Sequence, residues 1–163
     1  MVKNWHILSV YFLETCKIGT YDGNVMKVGA DSFCIISDTS EMSSVEKVKT
    51  TCASLDATVL KPTSNEMNQS ILDVLKHQKY DMSLLSFALV DATDEAKEGT
   101  WTDLGGNPLT YTNWFVNQPR VSSDQNFAVL YALDSPGYDG KWSVRGLDDM
   151  AILVCQKKLT GKS

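Results

Sequence analysis

Residues 99–120 read GTWTDLGGNPLTYTNWFVNQPR, and this stretch decides the fold. Its aromatics Trp101, Tyr111 and Trp114, its Gly105-Gly106 step and its Gln118-Pro119 step sit where a sheet strand gives way to a long, structured surface loop. Binding residues concentrate on such loops because a rigid scaffold can position them, so a ligand is expected to meet the chain here.

Working outward, residues 84–90 form a nearly continuous apolar run that ends at the acidic cluster Asp91, Asp94, Glu95 and Glu98, a buried strand followed by a solvated turn. Downstream, residues 127–133 and 151–155 are two further short apolar runs, separated by the turn signals Ser135-Pro136-Gly137 and Asp139-Gly140. Upstream lie two helical patterns. The first begins near Ser43, where Ser43 and Glu46 have capping-box spacing and Val45, Val48, Cys52 and Leu55 recur on one face. The second begins at Thr63 or Ser64, with Thr63 and Glu66 at the same spacing and Met67, Ile71, Val74 and Leu75 as its apolar stripe. Near its start, Asn68-Gln69-Ser70 is an N-glycosylation sequon, of use only in a secreted chain.

Earlier still, Gly19, Asp22-Gly23 and Gly29 lie between Cys16 and Cys34 and suit a hairpin. Residues 1–13 have the charge-then-apolar order of a secretory signal without its small-residue cleavage site. They also alternate Ile7, Ser9, Tyr11 and Leu13 with Leu8, Val10 and Phe12, and a first strand is the expectation. The order of strand, two helices, then short strands with long loops is α+β. A chain of 163 residues with 43% hydrophobic and 21% charged residues makes one domain over 1–163, with an N-terminal strand and hairpin at 1–34.

The formal charge of -5 opposes the phosphate neutralisation that nucleic-acid binding requires, so nucleic acid is not an expected partner. No apolar run approaches the roughly 18 residues that span a bilayer. The four cysteines include no CxxC pair, and His6 and His77 are the only histidines, which argues against zinc. Three pairings are open, as are four free thiols; two disulfides, and with them a secreted protein, are the expectation. Two scattered histidines, with no GxSxG and no Gly-rich phosphate loop, give no enzymatic constellation.

The run from Glu98 to Trp114, with Gly105-Gly106, Leu109, Tyr111 and Asn113-Trp114, resembles the EG-W-GG-L-Y-NW signature of the C-type lectin-like domain. Cys52 in the first helix, Pro119 in the loop, Trp142 on a later strand and Cys155 at the end complete the pattern over about residues 33–156. TDEAKEG followed by GGNPLTYTNW is similar to the collectin and mannose-binding-protein branch. The resemblance implies two helices flanking short antiparallel sheets with a long structured loop region. It also implies a Cys52–Cys155 bond that closes about 100 residues, and a Cys16–Cys34 hairpin bridge. The latter spacing is wider than usual, which keeps open an intermolecular bond through Cys16 and a homo-oligomer. The family's loop-stapling disulfide is missing: its positions fall near Phe127 and Leu147, where an apolar contact is expected instead, with a more mobile loop.

In sugar-binding members a calcium ion in the loop is held by Glu-Pro-Asn or Gln-Pro-Asp and by an Asn-Asp pair after the strand tryptophan. This chain has Gln118-Pro119-Arg120 and Ser143-Val144. A guanidinium cannot donate an oxygen and valine has no ligand, so the resemblance does not carry the usual calcium over and no cofactor is expected. An auxiliary calcium position would use Asp94 and Glu98, with Val121 and Asn126 aligned to its other partners. The plainer reading of these acids is a solvated turn.

Arg120 is the informative departure. Its rigid fork of donors suits sugar hydroxyls, an acetamido carbonyl or the carboxylate of an acidic sugar. Asn117, Gln118 and Asp124 can add acceptors, and Trp142 or Tyr138 an apolar face. The alternative for Arg120 is a salt bridge to Asp124. The implied function is a secreted module that binds glycans without the calcium bridge; the second is a protein-interaction domain on the same fold. Glycans or a protein ligand are accordingly the expected partners.

Overall fold

The computed structural model describes residues 13–78, 87–132 and 137–161. The strand or signal expected over 1–13 lies outside these except for Leu13, as do residues 84–86, Leu133, Asp134 and the Ser135-Pro136 turn. The elements run β1 (Thr15–Ile18), β2 (Tyr21–Val28), β3 (Asp31–Ser44), α1 (Val45–Ser54), α2 (Asn65–His77), β4 (Phe87–Thr93), β5 (Phe127–Tyr131), β6 (Trp142–Arg145) and β7 (Met150–Leu159).

The expected α+β fold is present, with one difference. The described strands form a single seven-stranded sheet in the order β1-β2-β3-β7-β4-β5-β6, rather than separate short sheets. The cause is β3, whose 14 residues are long enough to continue the N-terminal hairpin and still pair with β7 along most of its length. Neighbours are antiparallel except β4 and β7, which run parallel. A parallel pair needs a long crossover, so it must join strands far apart in the chain.

Both helices begin at serines whose hydroxyls accept a backbone N–H at the third helical position. Ser44 accepts from Lys47 and Ser64 from Met67, at 3.2 and 3.1 Å. The first cap is therefore one residue later than the Ser43–Glu46 spacing suggests, because β3 holds the chain extended through Ser44. Glu46 still lies in the first turn, where its charge favours the helix dipole, and it pairs with Lys49 at 3.0 Å. At the second helix Ser64 caps, and the Thr63 hydroxyl instead meets the Met67 sulfur at 3.6 Å.

Strand alternation divides the core between the two faces of the sheet. Ile35, Val90, Leu130 and Val154 join the α2 stripe of Met67, Ile71, Val74 and Leu75 on one face. Their neighbours Cys34, Leu89, Val129 and Cys155 join Val45, Val48 and Cys52 of α1 on the other. With both faces covered, a strand reads as a continuous apolar run. Each buried aliphatic side chain contributes about 1.5–3 kcal/mol.

The second face holds both disulfides: Cys16–Cys34 ties β1 to β3, and Cys52–Cys155 ties α1 to β7. All four cysteines are thereby paired within the chain, and none is left for an intermolecular bond. The expected Phe127–Leu147 contact is not what fills the place of the missing loop staple. Phe127 is buried in the second cluster, whereas Leu147 is exposed and packs on neither cluster. Over the Phe127 ring lies the Lys49 ammonium, 5.1 Å from its centroid.

Candidate functional site

The connection from β4 to β5, residues 94–126, is fixed at its root by backbone. Thr93 exchanges two hydrogen bonds with Thr102, both 2.8 Å, and the Asp94 N–H donates to the Asn126 carbonyl at 3.2 Å. The Gly105-Gly106 turn is built around Asp103. One of its carboxylate oxygens accepts from the backbone N–H groups of Gly105 and Asn107, at 3.0 and 2.8 Å. The other accepts from the Lys61 ammonium at 2.7 Å, and Lys61 also reaches Asp91 at 2.9 Å. Asp91 in turn accepts the Leu104 N–H at 2.7 Å. Lys61, first, and then the Asn107 N–H hold the Asp103 carboxyl well below the usual carboxylate range. Chiefly through the same Asp103 contact, the Lys61 pKa is raised. Gly106 completes the turn at φ +84, a conformation costly for residues with a Cβ.

Beneath the loop the aromatics pack edge to face. Trp101 lies 4.7 Å from Trp114, Trp114 5.6 Å from Trp142, and Tyr111 5.7 Å from Trp142, as centroid distances. Trp101, Tyr111 and Trp114 thus support the loop from the core side. Trp142 does not offer the apolar face expected of it: it is 1% exposed and its indole N–H donates to the Asn68 Oδ1 at 3.1 Å. Strand β6 carries Trp142 into the core cluster of the α2 side, and Trp114 pairs with it along the strand's edge.

Asn68 is itself 3% exposed and donates its Nδ2 to the Gly140 carbonyl at 3.1 Å. Gly140 has φ +71, and a Cβ there would stand 2.8 Å from the Asn68 Nδ2. The sequon is therefore closed in the folded chain, and its asparagine joins α2 to the turn before β6. Asn68→Ala is expected to cost about 2–3 kcal/mol, because it orphans a buried indole N–H as well as removing two hydrogen bonds. Denaturant titration measures that loss, and intact mass of protein from a secretory host should show Asn68 unmodified.

At the loop tip, Asn117, Gln118 and Arg120 come together on one turn with a cis Gln118-Pro119 bond and Asn117 at φ +61. The Gln118 N–H donates to the Phe115 carbonyl at 3.0 Å, and the Gln118 side-chain oxygen accepts the Arg120 N–H at 3.3 Å. Arg120 is exposed, and among the described residues its guanidinium has no ion-pair partner. The bridge to Asp124 does not form, because Asp124 accepts from the Ser122 hydroxyl. Glu98 accepts from the Ser122 N–H at 2.9 Å. Tyr138 is 42% exposed and stacks on Phe115, with centroids 4.7 Å apart and planes at 19°. Val116 and Val121 flank the turn at 67% and 76% exposure.

The residues present do not fit a calcium ion at the loop tip. The Gln118 oxygen already faces an N–H, Arg120 brings a positive charge, and Val144 offers no side-chain oxygen. Ser143 is buried, with its hydroxyl accepting from Arg145 at 3.3 Å. The auxiliary position fits only in part, and here the solvated-turn reading needs correction. Asp94 is 2% exposed; one of its oxygens takes the Gly99 N–H at 2.8 Å while the other, like the Asn126 Oδ1, is buried without a donor. With Glu98 these are three ligands where calcium needs about six to eight, and Val121 adds none. Among the described residues, no three His, Cys, Asp or Glu side chains gather in a metal-binding group.

Sequence reasoning overlooked Lys61 and the role of Asp103, and it placed Asp91 in a solvated turn, whereas Asp91 is buried within β4 and paired with Lys61. The one available signal was an aspartate two residues before a glycine, the spacing of an Asx turn. Phe115 was overlooked as well, since nothing local marks an aromatic as the support for another 23 positions on.

The Lectin C-type domain family model matches residues 41–157. Among solved structures, the mouse scavenger receptor C-type lectin carbohydrate-recognition domain is similar at 24% identity, with a TM-score of 0.66, covering 85% of this chain and 97% of that one. A calcium-independent type II antifreeze protein superposes at 14% identity and TM-score 0.62, covering 82% and 95%. Human lithostathine superposes at 15% identity and TM-score 0.67, covering 83% and 88%. At these identities the likeness to each is one of fold.

Proposed function

This chain belongs to the C-type lectin domain family, and from that premise we propose that it is a secreted recognition module which binds carbohydrate at residues 115–121 and Tyr138 without a bridging calcium ion. The observation that carries the reading is Arg120: where calcium-bridged binding needs an oxygen ligand, the loop presents an exposed guanidinium whose donors have no partner among the described residues. A guanidinium can do directly what the ion does by coordination, which is to hold sugar oxygens in a fixed orientation. Tyr138 supplies a flat apolar face, held in place by Phe115. The mouse relative is by name a carbohydrate-recognition domain, and the antifreeze relative shares the fold and is by name calcium-independent. Two disulfides are consistent with an oxidising compartment, and among the described residues no helix is long and apolar enough to cross a membrane.

A glycan array run with calcium and again with chelator tests the proposal. The signal is expected to survive chelation and to fall at least about tenfold for Arg120→Ala, the loss of one or two charge-assisted hydrogen bonds. Because Arg120 is exposed, the variant should keep its melting temperature. Loss of signal on chelation would overturn the calcium-free mode. The second reading, a protein-interaction domain, is favoured by Val116 and Val121, since exposed apolar residues around an arginine are typical of interface cores. An array without signal would favour it.

A further inference from the structure

Resting on the carbohydrate reading above, we propose that the ligand is an acidic sugar whose carboxylate docks on Arg120 while its ring lies against Tyr138. Arg120 is the only lysine or arginine between Lys97 and Lys141, so residues 98–140 carry one basic side chain. Two acids of this region have hydrogen-bond partners other than Arg120. Asp124 takes the Ser122 hydroxyl and Glu98 takes the Ser122 N–H. The nearest amide oxygen, that of Gln118, takes the backbone N–H of Arg120 itself. The tip thus presents an exposed cation whose five N–H donors have no acceptor among the described residues.

A hydroxyl or an amide carbonyl would engage one or two of those donors and leave the charge uncompensated. A carboxylate engages two in parallel and neutralises it. The second element is positional. Tyr138 stacks on Phe115, and the Phe115 carbonyl holds the Gln118 N–H, so the aromatic face and the Arg120 turn are fixed to each other through one residue. A ligand with a ring and a carboxylate attached to it matches both; a neutral sugar uses only the ring contact and the weaker donors.

The experiment uses the full chain on an array carrying sialylated, uronate-bearing and neutral glycans, with chelator present. The strongest acidic hit is then compared with its methyl ester by titration. Binding is expected on acidic glycans, with the ester at least tenfold weaker. Arg120→Ala should bind acid and ester alike, and Arg120→Lys should recover only part of the preference because an ammonium lacks the planar fork. Tyr138→Ala should weaken acid and ester by the same factor. Binding confined to neutral glycans, or equal binding of acid and ester by the wild type, overturns the acidic ligand and leaves the carbohydrate reading standing. Absence of binding to every glycan overturns both.

Discussion

Replacing Cys52 and Cys155 together by alanine is expected to lower the free energy of unfolding by about 4–5 kcal/mol, or on the order of 10–20 °C in melting temperature for a chain of this size. The bond joins residues 103 apart, linking α1 to β7. Its absence releases most of the chain from a closed loop in the unfolded state. The two sulfurs are also core atoms, since Cys52 and Cys155 are 1% and 0% exposed. The Cys16–Cys34 bond spans 18 residues, and the same argument gives it about 3 kcal/mol. Cys16 is only half-buried, so mild reductant should open this second bond first. Guanidinium titration of the two double-alanine variants measures both losses. Equal losses would show that loop length is not what sets them.

The second large effect is at Lys61. Its ammonium is shared by Asp91 and Asp103, whose side chains are 9% and 8% exposed. Lys61→Met leaves two nearly buried carboxylates without their common counter-charge. Removing one partner of a buried pair costs about 3–5 kcal/mol; with the Lys61 side chain 43% exposed, water can take over part of its role, and the lower end is expected. The damage should be local, because these carboxylates also hold the N–H groups of Leu104, Gly105 and Asn107. Hydrogen exchange should therefore accelerate at those amides before the core strands.

The pH dependence has a definite sign. The Asp103 carboxyl has a folded pKa below its unfolded one, so its contribution is complete above about pH 5 and is lost as pH falls through the unfolded value near 4 toward the folded one. Lys61 is raised above 10.5, so its contribution is complete below that value and is lost as pH rises through the folded one. Wild-type stability from these groups is thus level across neutral pH and declines in acid. In Lys61→Met, protonation of Asp103 relieves its repulsion with Asp91, so the gap to wild type should narrow from pH 7 to pH 3. A constant gap, measured by urea titration at both values, would mean that the charges are not what the substitution removes.

How far each feature was legible depended on what kind of information it required. The helix stripes at Val45, Val48, Cys52 and Leu55 and at Met67, Ile71, Val74 and Leu75 follow from a period, and all are buried except Leu55, which caps the first helix and packs half-buried on the core. The caps were located to within a residue, because any serine near a helix start can accept the N–H and the strand before it decides which does. The fold class and both disulfides were reached through the run from Glu98 to Trp114 and the cysteines around it. Trp142 was misplaced as a surface face because tryptophans of either fate have the same local pattern. Asn68 was seen only as a sequon, since its partner Trp142 is 74 positions away.

The sequence alone determined the α+β class, the two amphipathic helices and the buried strands. These are matters of residue type and short-range spacing, which the chain carries openly. The tertiary structure alone decided which oxygens are already satisfied, and that choice governs the site. It turned Asp124 and Glu98 onto Ser122, spent the Gln118 oxygen on a backbone N–H, sealed Asn68 under Trp142, and left the Arg120 guanidinium without an acceptor among the described residues. A hydrogen bond acts over about 3 Å and binds whichever partner the fold brings that close. Sequence separation of the partners, here from two to 74 residues, carries no information about it.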